Sequence, residues 1–202
     1  MRLLELFCGT KSVGKAVGHR FSEVISLDLD PKASPTIVAD ILTWDYRVFP
    51  VGHFHTIWAS PPCTEYSKLN EWKPSKVPNL SLADSIVQRT LEIITYFNPH
   101  RWFVENPQSG TLKSRVFMDG IPFIDCDYCR FSDWGYRKRT RFWGNIIADN
   151  ILCKGAGLCE NMVEGKHSIR IGLPKQGGPT TLSERHRIPP ALILHLFDLP
   201  HL

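Results

Sequence analysis

Short apolar runs that stop at a polar, ligand-capable residue recur along the first half of this chain. Arg2 to Phe7 (RLLELF) is followed by Cys8 and Gly9, and Glu23 to Leu27 (EVISL) ends at Asp28. Thr36 to Ala39 ends at Asp40, His55 to Ala59 ends at Ser60-Pro61-Pro62-Cys63, and Arg101 to Val104 ends at Glu105. Each run reads as a short buried strand. Open α/β sheets bind their ligands outside the carboxyl ends of the strands. The shared pattern therefore implies one crevice, lined by residues from several strand ends.

The fourth ending is the stiffest. Two prolines can neither continue a sheet ladder nor enter a helix interior. They hold Cys63 on a rigid loop just past a strand, and the spacing makes Cys63 a candidate nucleophile; a buried, inert thiol is the alternative. After the first run, Cys8-Gly9-Thr10-Lys11-Ser12-Val13-Gly14 leads into a helical pattern through Ala16, Val17 and Arg20. Strand, glycine-bearing turn, helix can cradle a nucleotide, but such turns also use glycine for steric reasons alone. No Gly-Lys-Ser/Thr follows at P-loop spacing. Asp28 lies roughly 20 residues past the turn, where related folds place the acceptor for ribose hydroxyls; a turn cap at Asp28-Leu29-Asp30-Pro31 is the structural alternative.

Between Cys63 and the next helix, Lys68 to Leu80 is long, polar and basic, with Lys68, Lys73, Lys76 and Trp72, and reads as a binding loop or a solvated one. Leu82, Ile86, Val87, Thr90, Leu91, Ile94 and Phe97 recur at helical spacing, which predicts an amphipathic helix over 81–98 with Ser81 and Asp84 at its start. Ile121 to Cys126 is a further candidate strand. Tyr136-Arg137-Lys138-Arg139-Thr140-Arg141 runs into Phe142 and Trp143; strand alternation puts Arg137, Arg139 and Arg141 on one face, where they need acidic or phosphate partners. Residues 160–180 are Gly-rich and polar and read as loop. Ile188-Pro189-Pro190 opens a last helix packed through Ala191, Leu192, Leu194, His195 and Leu196.

Six cysteines in a chain without a signal-peptide pattern are thiols, metal ligands or catalysts rather than disulfides. Cys126-x2-Cys129 and Cys153-x5-Cys159 could close a four-cysteine zinc site, with His167 as a substitute ligand, or remain four ordinary thiols. A chain of 202 residues is one domain or one domain with a small appendage. A net charge of +4 permits nucleic acid as a partner without requiring it. No apolar run reaches membrane-spanning length, so the chain is expected to stay inside a cell, in the cytoplasm or, for a viral protein, the host cytoplasm or nucleus.

A thiol, a carboxylic acid and two aspartates around one crevice suit cytosine chemistry. The C5 carbon of cytosine is a poor nucleophile. A thiolate adding at C6 turns the ring into an enamine and makes C5 reactive. An acid at N3 assists the addition, and the base must leave its stack to reach the pocket.

On these motifs the chain resembles the C5-cytosine DNA methyltransferases, most of all the small phage and large-virus members. The resemblance rests on Leu6-Phe7-Cys8-Gly9 with Gly14, Asp28, Asp40, Ser60-Pro61-Pro62-Cys63, Glu105-Asn106-Pro107 and Arg139-x-Arg141, in that order. It implies a Rossmann-like α/β fold for S-adenosylmethionine-dependent methyl transfer: a mixed, mostly parallel sheet flanked by helices, with a small Cys-rich insert. Residues 1–147 would form the catalytic domain, 148–180 the Cys/Gly-rich insert and 181–202 a C-terminal helix packed back on the catalytic domain. It implies that Cys63 attacks C6, that Glu105 contacts N3 and the exocyclic amine, and that Arg139 and Arg141 support the site and hold a backbone phosphate. It gives S-adenosylmethionine to Phe7, Cys8, Gly9, Thr10, Gly14, Asp28, Leu29, Asp40, Ile41 and Pro61. The implied partner is DNA with a flipped cytosine; the same chemistry on tRNA and a catalytically silent cofactor- or nucleic-acid-binding module are the rivals. Three features depart from the family. Lys11 stands where the turn usually has a second glycine; Thr64 and Arg137 replace glutamines; and the stretch after Arg141 is too short for the usual target-recognition domain.

Overall fold

The computed structural model describes residues 1–67, 77–169, 171 and 181–202. In chain order its strands and helices are β1 (Arg2–Leu6), α1 (Ser12–Val17), β2 (Glu23–Asp28), β3 (Ile37–Val38), β4 (Thr56–Ala59), α2 (Leu80–Phe97), β5 (Arg101–Pro107), β6 (Phe123–Asp127), β7 (Arg139–Gly144), β8 (Met162–Val163), β9 (Lys166–His167), α3 (Leu182–His186) and α4 (Pro190–Asp198). Among the described residues, seven strands form one sheet in the order β3-β2-β1-β4-β5-β7-β6. The first five of these pair in parallel, and β7 runs antiparallel to both β5 and β6. The expected mixed, mostly parallel sheet is therefore what forms.

Strand alternation sends successive side chains to opposite faces, and both faces are covered. Leu4, Leu6, Ile57 and Val104 meet α2 through Val87, Ile94 and Phe97. Leu3, Trp58, Phe103 and Phe142 meet α1 and α4 through Val13, Val17, Leu192, Leu196 and Phe197. The Trp58 and Phe197 rings stack at 6.2 Å. Pro190 stands at the first turn of α4, where its missing N–H costs no helical bond. Toward the β6 edge, Gly144 of β7 passes so close to β5 that an added Cβ would sit 2.2 Å from the Trp102 carbonyl oxygen. Only glycine allows that approach.

Several local expectations are corrected. The cap of α2 is Asn79, whose side chain accepts from Leu82 N at 3.1 Å, not Ser81. Asp84 instead takes the Tyr66 phenol, at 2.9 Å, and Arg115. β5 runs on through Pro107, so Glu105 lies within the strand rather than past its end. Within the stretch read as loop, β8 and β9 form a short hairpin. A Thr181–Glu184 capping box opens α3, which periodicity did not predict. Lys68, Trp72, Lys73 and Lys76 lie outside the described residues.

Candidate active site

The order of strands reverses between β1 and β4. From β1 the chain moves through β2 to β3 on one side; from β4 it moves to β5 on the other. Neighbouring strand exits diverge there and leave a crevice. A cavity of about 310 Å³ opens at that point. Phe7, Cys8, Gly9 and Thr10 line it from the β1 exit, Asp28 and Leu29 from β2, and Asp40 and Ile41 from the β3 exit. Pro61, Pro62 and Cys63 line it from the β4 exit and Glu105 from β5. Gly14, Arg139 and Arg141 are not among the lining residues; Ser60 of the proline motif is, and so are Glu5, Lys138 and His186, to which the motifs give no role.

Backbone strain concentrates at the β1 exit. Phe7 (φ 57°), Gly9 (φ 43°) and Lys11 (φ 54°) all adopt the left-handed region, which costs a side-chain-bearing residue and is open to glycine. Lys11 thus occupies a conformation that explains a glycine preference at this turn. Glu5, inside an otherwise apolar strand, faces α1 and accepts from Val13 N (3.2 Å) and Gly14 N (3.0 Å). A Cβ on Gly14 would stand 3.0 Å from Glu5 Oε2, so Gly14 serves this buried contact rather than the cavity wall. Burial pushes the Glu5 carboxyl up to about 7 against the pull of those two amides. Burial likewise lifts the Cys8 thiol to about 11, which leaves it neutral.

The end of the cavity beside β2 and β3 suits a nucleoside. Asp28 accepts Gly9 N at 2.8 Å and Asp30 N at 2.9 Å, one on each carboxylate oxygen. Each oxygen keeps a lone pair for a ligand hydroxyl. Leu29 is 67% exposed yet lines the cavity, and Ile41 is buried against it. Asp40 Oδ1 accepts Leu42 N at 3.0 Å, which fixes a carboxylate at the same end.

The other end holds Cys63 and Glu105. Cys63 is half-buried and Glu105 buried. Asn106, next to Glu105, donates from Nδ2 to the Pro61 carbonyl at 3.0 Å, tying the proline loop to β5. Beyond Cys63, the Tyr66 carbonyl accepts Thr111 N at 2.9 Å, while its phenol bonds Asp84 on α2. The loop is thus clamped on both sides of the thiol. Burial, reinforced by Glu105, pushes the Cys63 thiol up, and Lys138 opposes this. Burial raises Glu105 in turn, against Lys138 and a hydrogen bond with Ser60. The Ser60 hydroxyl already accepts the Trp58 indole N–H at 3.0 Å. Its own hydrogen therefore remains free for the Glu105 carboxylate.

The antiparallel pairing of β7 explains which cation reaches the cleft. Residues directly opposite share a face: Glu105 stands opposite Phe142, and Asn106 opposite Arg141. The face of Phe142 is that of Thr140 and Lys138. Arg139 and Arg141 lie on the other face and meet β6, where Arg141 forms a two-bond fork with Asp125 (2.7 and 2.8 Å) and Arg139 one with Asp127 (2.9 and 2.8 Å). The alternation of the basic run was readable, and so was its need for acids. The acids are Asp125 and Asp127, not the residues of the cleft.

The cysteines regroup as well. Cys129, Cys153, Cys159 and His167 each bring a ligand atom to one place, within 4.8 Å of one another. Cys126 is not part of this group: alternation on β6 turns it, with Ile124, into the core. His167 takes its place.

No family model matches the chain. Its fold is that of Rossmann-like methyltransferases. The S. pombe Dnmt2 methyltransferase superimposes with a TM-score of 0.52 at 16% identity over 71% of this chain and 50% of that one. The Entamoeba histolytica methyltransferase EhMeth gives a TM-score of 0.55 at 15% identity over 76% of this chain and 57% of that one. The chain thus spans little more than half the length of these two solved chains. A "Probable DNA (cytosine-5)-methyltransferase" of frog virus 3 (isolate Goorha) is 38% identical over 218 aligned residues, covering 98% of this chain and all of the viral one. At that identity and coverage, the chain belongs to the DNA (cytosine-5)-methyltransferase family.

Proposed function

We propose that this protein transfers a methyl group from S-adenosylmethionine to C5 of cytosine in DNA, through a covalent bond between Cys63 and C6 of a flipped base. The observation that carries this reading is the single cavity with Asp28 and Asp40 at one end and Cys63 and Glu105 at the other. Its two ends match a nucleoside and a reacting base. The near-full-length likeness to the viral enzyme supports DNA as the acceptor.

Asp28 would hold the ribose hydroxyls, Asp40 the adenine amine, and Phe7, Leu29 and Ile41 the apolar faces of the donor. Bound S-adenosylmethionine supplies the electrophilic methyl group. Cys63 as thiolate forms the S–C6 bond, and the displaced electron pair makes C5 nucleophilic. Burial raises the proton affinity of Glu105, which delivers a proton to N3 as charge develops there. Loss of the C5 proton then restores the ring and breaks the S–C6 bond. Lys138 favours the Cys63 thiolate, and Ser60 fixes the Glu105 carboxyl. In this reading Arg139 and Arg141 stabilise the sheet and do not touch the base. Donor and nucleic acid both occur inside cells, which is where the reading puts the protein.

The test is methyl-labelled S-adenosylmethionine with separate DNA and RNA substrates, beside Cys63→Ala. Label on cytosine C5 of DNA, lost in Cys63→Ala while donor binding persists, is the expected result. Label on RNA alone would overturn DNA as the acceptor. Donor binding without transfer to either would make the protein a silent module.

A further inference from the structure

Outside the cleft, Cys129, Cys153, Cys159 and His167 come from four separate pieces of chain. Cys129 lies in the tight turn after β6, and Cys153 follows the Ile151 bridge to Cys126. Cys159 closes a turn begun at Gly155, and His167 ends β9. None of the six cysteines is in a disulfide. His167 Nε2 stands 3.6 Å from Cys153 Sγ and 3.6 Å from Cys159 Sγ. In a tetrahedral site with Zn–S near 2.3 Å and Zn–N near 2.05 Å, the sulfur-to-nitrogen edge is about 3.6 Å. The observed spacing matches that of ligands around an ion.

The backbone is built for it. Gly155 (φ 86°) and Gly157 (φ 78°) allow the reversal that returns Cys159 toward Cys153. Gly155 N donates to Cys153 Sγ at 3.5 Å, a contact that favours a thiolate. Asp127, already forked by Arg139, accepts Cys153 N at 2.8 Å and fixes that ligand to the end of β6. Apolar packing holds little of this segment beyond Ile151: Leu158 is 67% exposed, Val163 63% and Leu152 36%. A segment without a core of its own needs a staple.

We propose that Cys129, Cys153, Cys159 and His167 bind one Zn²⁺ in a closed structural site that folds residues 151–167 onto the end of β6. Three soft thiolates and one imidazole in a tetrahedron select zinc. Four protein ligands leave no open position, so the ion takes no part in methyl transfer. Binding replaces the three thiol protons, which pass to solvent, and nothing is oxidised. The site holds the cysteine-bearing insert against the strand pair that also carries Lys138 into the cleft.

The test is metal content of the purified full chain by mass spectrometry of the elements, together with cobalt substitution. About one zinc per chain is expected in the wild type and in Cys126→Ser, falling about tenfold or more in Cys129→Ser and in His167→Ala. Chelator-stripped wild type titrated with Co²⁺ should develop the strong visible band of tetrahedral coordination, a result that needs no variant to fold. Stripping should also raise amide exchange in 151–167 while β1 to β5 stay protected. A wild type without zinc or a cobalt band, or metal loss in Cys126→Ser equal to that in Cys129→Ser, overturns the site. Unchanged exchange on stripping overturns its role as a clamp.

Discussion

Cys63 is poorly ionised where it stands. Burial and the Glu105 carboxyl both hold its proton on, and Lys138 works against them. A thiol needs to be a thiolate to attack, so the rate should rise with pH until the thiol has titrated. Removing Lys138 takes away the thiolate's nearby cation and raises the thiol pKa further. Lys138→Met should therefore move the rising limb of kcat to higher pH and lower the rate at pH 7 several-fold. An unchanged limb would place Lys138 outside the electrostatics of the reaction. Glu105→Gln acts in the opposite sense on the thiol. With the carboxyl gone, alkylation of Cys63 by iodoacetamide at fixed pH should speed up. Methyl transfer should meanwhile fall by about 10²–10⁴, the usual share of a general acid. Slower alkylation would contradict the coupling of the two groups.

At the scale of elements, β7 separates two kinds of basic residue by parity alone. Lys138 shares the face of Glu105, while Arg139 and Arg141 pair with Asp127 and Asp125. The Arg141–Asp125 pair is nearly buried, with side chains 13% and 10% exposed, and Arg141 also lies over the Phe123 ring at 3.5 Å. Taking away one partner of a buried pair typically costs about 3–5 kcal/mol, because the other charge is left unpaired. Arg141→Ala should lose stability of that order in urea unfolding, yet keep its rate per folded molecule. A stable but inactive Arg141→Ala would return that arginine to the cleft. This parity was the part of the site least legible in the sequence. Alternation along 137–141 was plain, but which face looks at Glu105 depends on the register of β7 against β5. A slip of one residue reverses it. Glu5 was hidden for a related reason: a charge in an apolar run shows its purpose only once α1 packs back over β1. All four members of the metal group were candidates in the sequence, but the choice of His167 over Cys126 depended on the hairpin that delivers His167, and no local spacing encodes that.

For the molecule as a whole, the strand ends were legible because buried strands with polar endings encode both the layer and the side on which ligands sit. Cys8-Gly9, Asp28, Asp40, Cys63 and Glu105 come from five strands and meet in one cavity. That convergence needed only parallel strands and a reversal of strand order between β1 and β4. What the strand pattern left open is the acceptor. The matched part of the chain covers 50% and 57% of the two solved methyltransferases it resembles. No helix among the described residues is long and apolar enough to cross a membrane. The central claim is that Cys63 bonds to C6 of a cytosine flipped out of DNA. Incubation with S-adenosylmethionine and a duplex bearing 5-fluorocytosine tests it most directly, because fluorine at C5 blocks the elimination that would release the thiol. A stable protein–DNA adduct mapped to Cys63, absent in Cys63→Ser, is the predicted result. Methylation of ordinary DNA with no adduct on the fluorinated duplex, or an adduct on another cysteine, would contradict it.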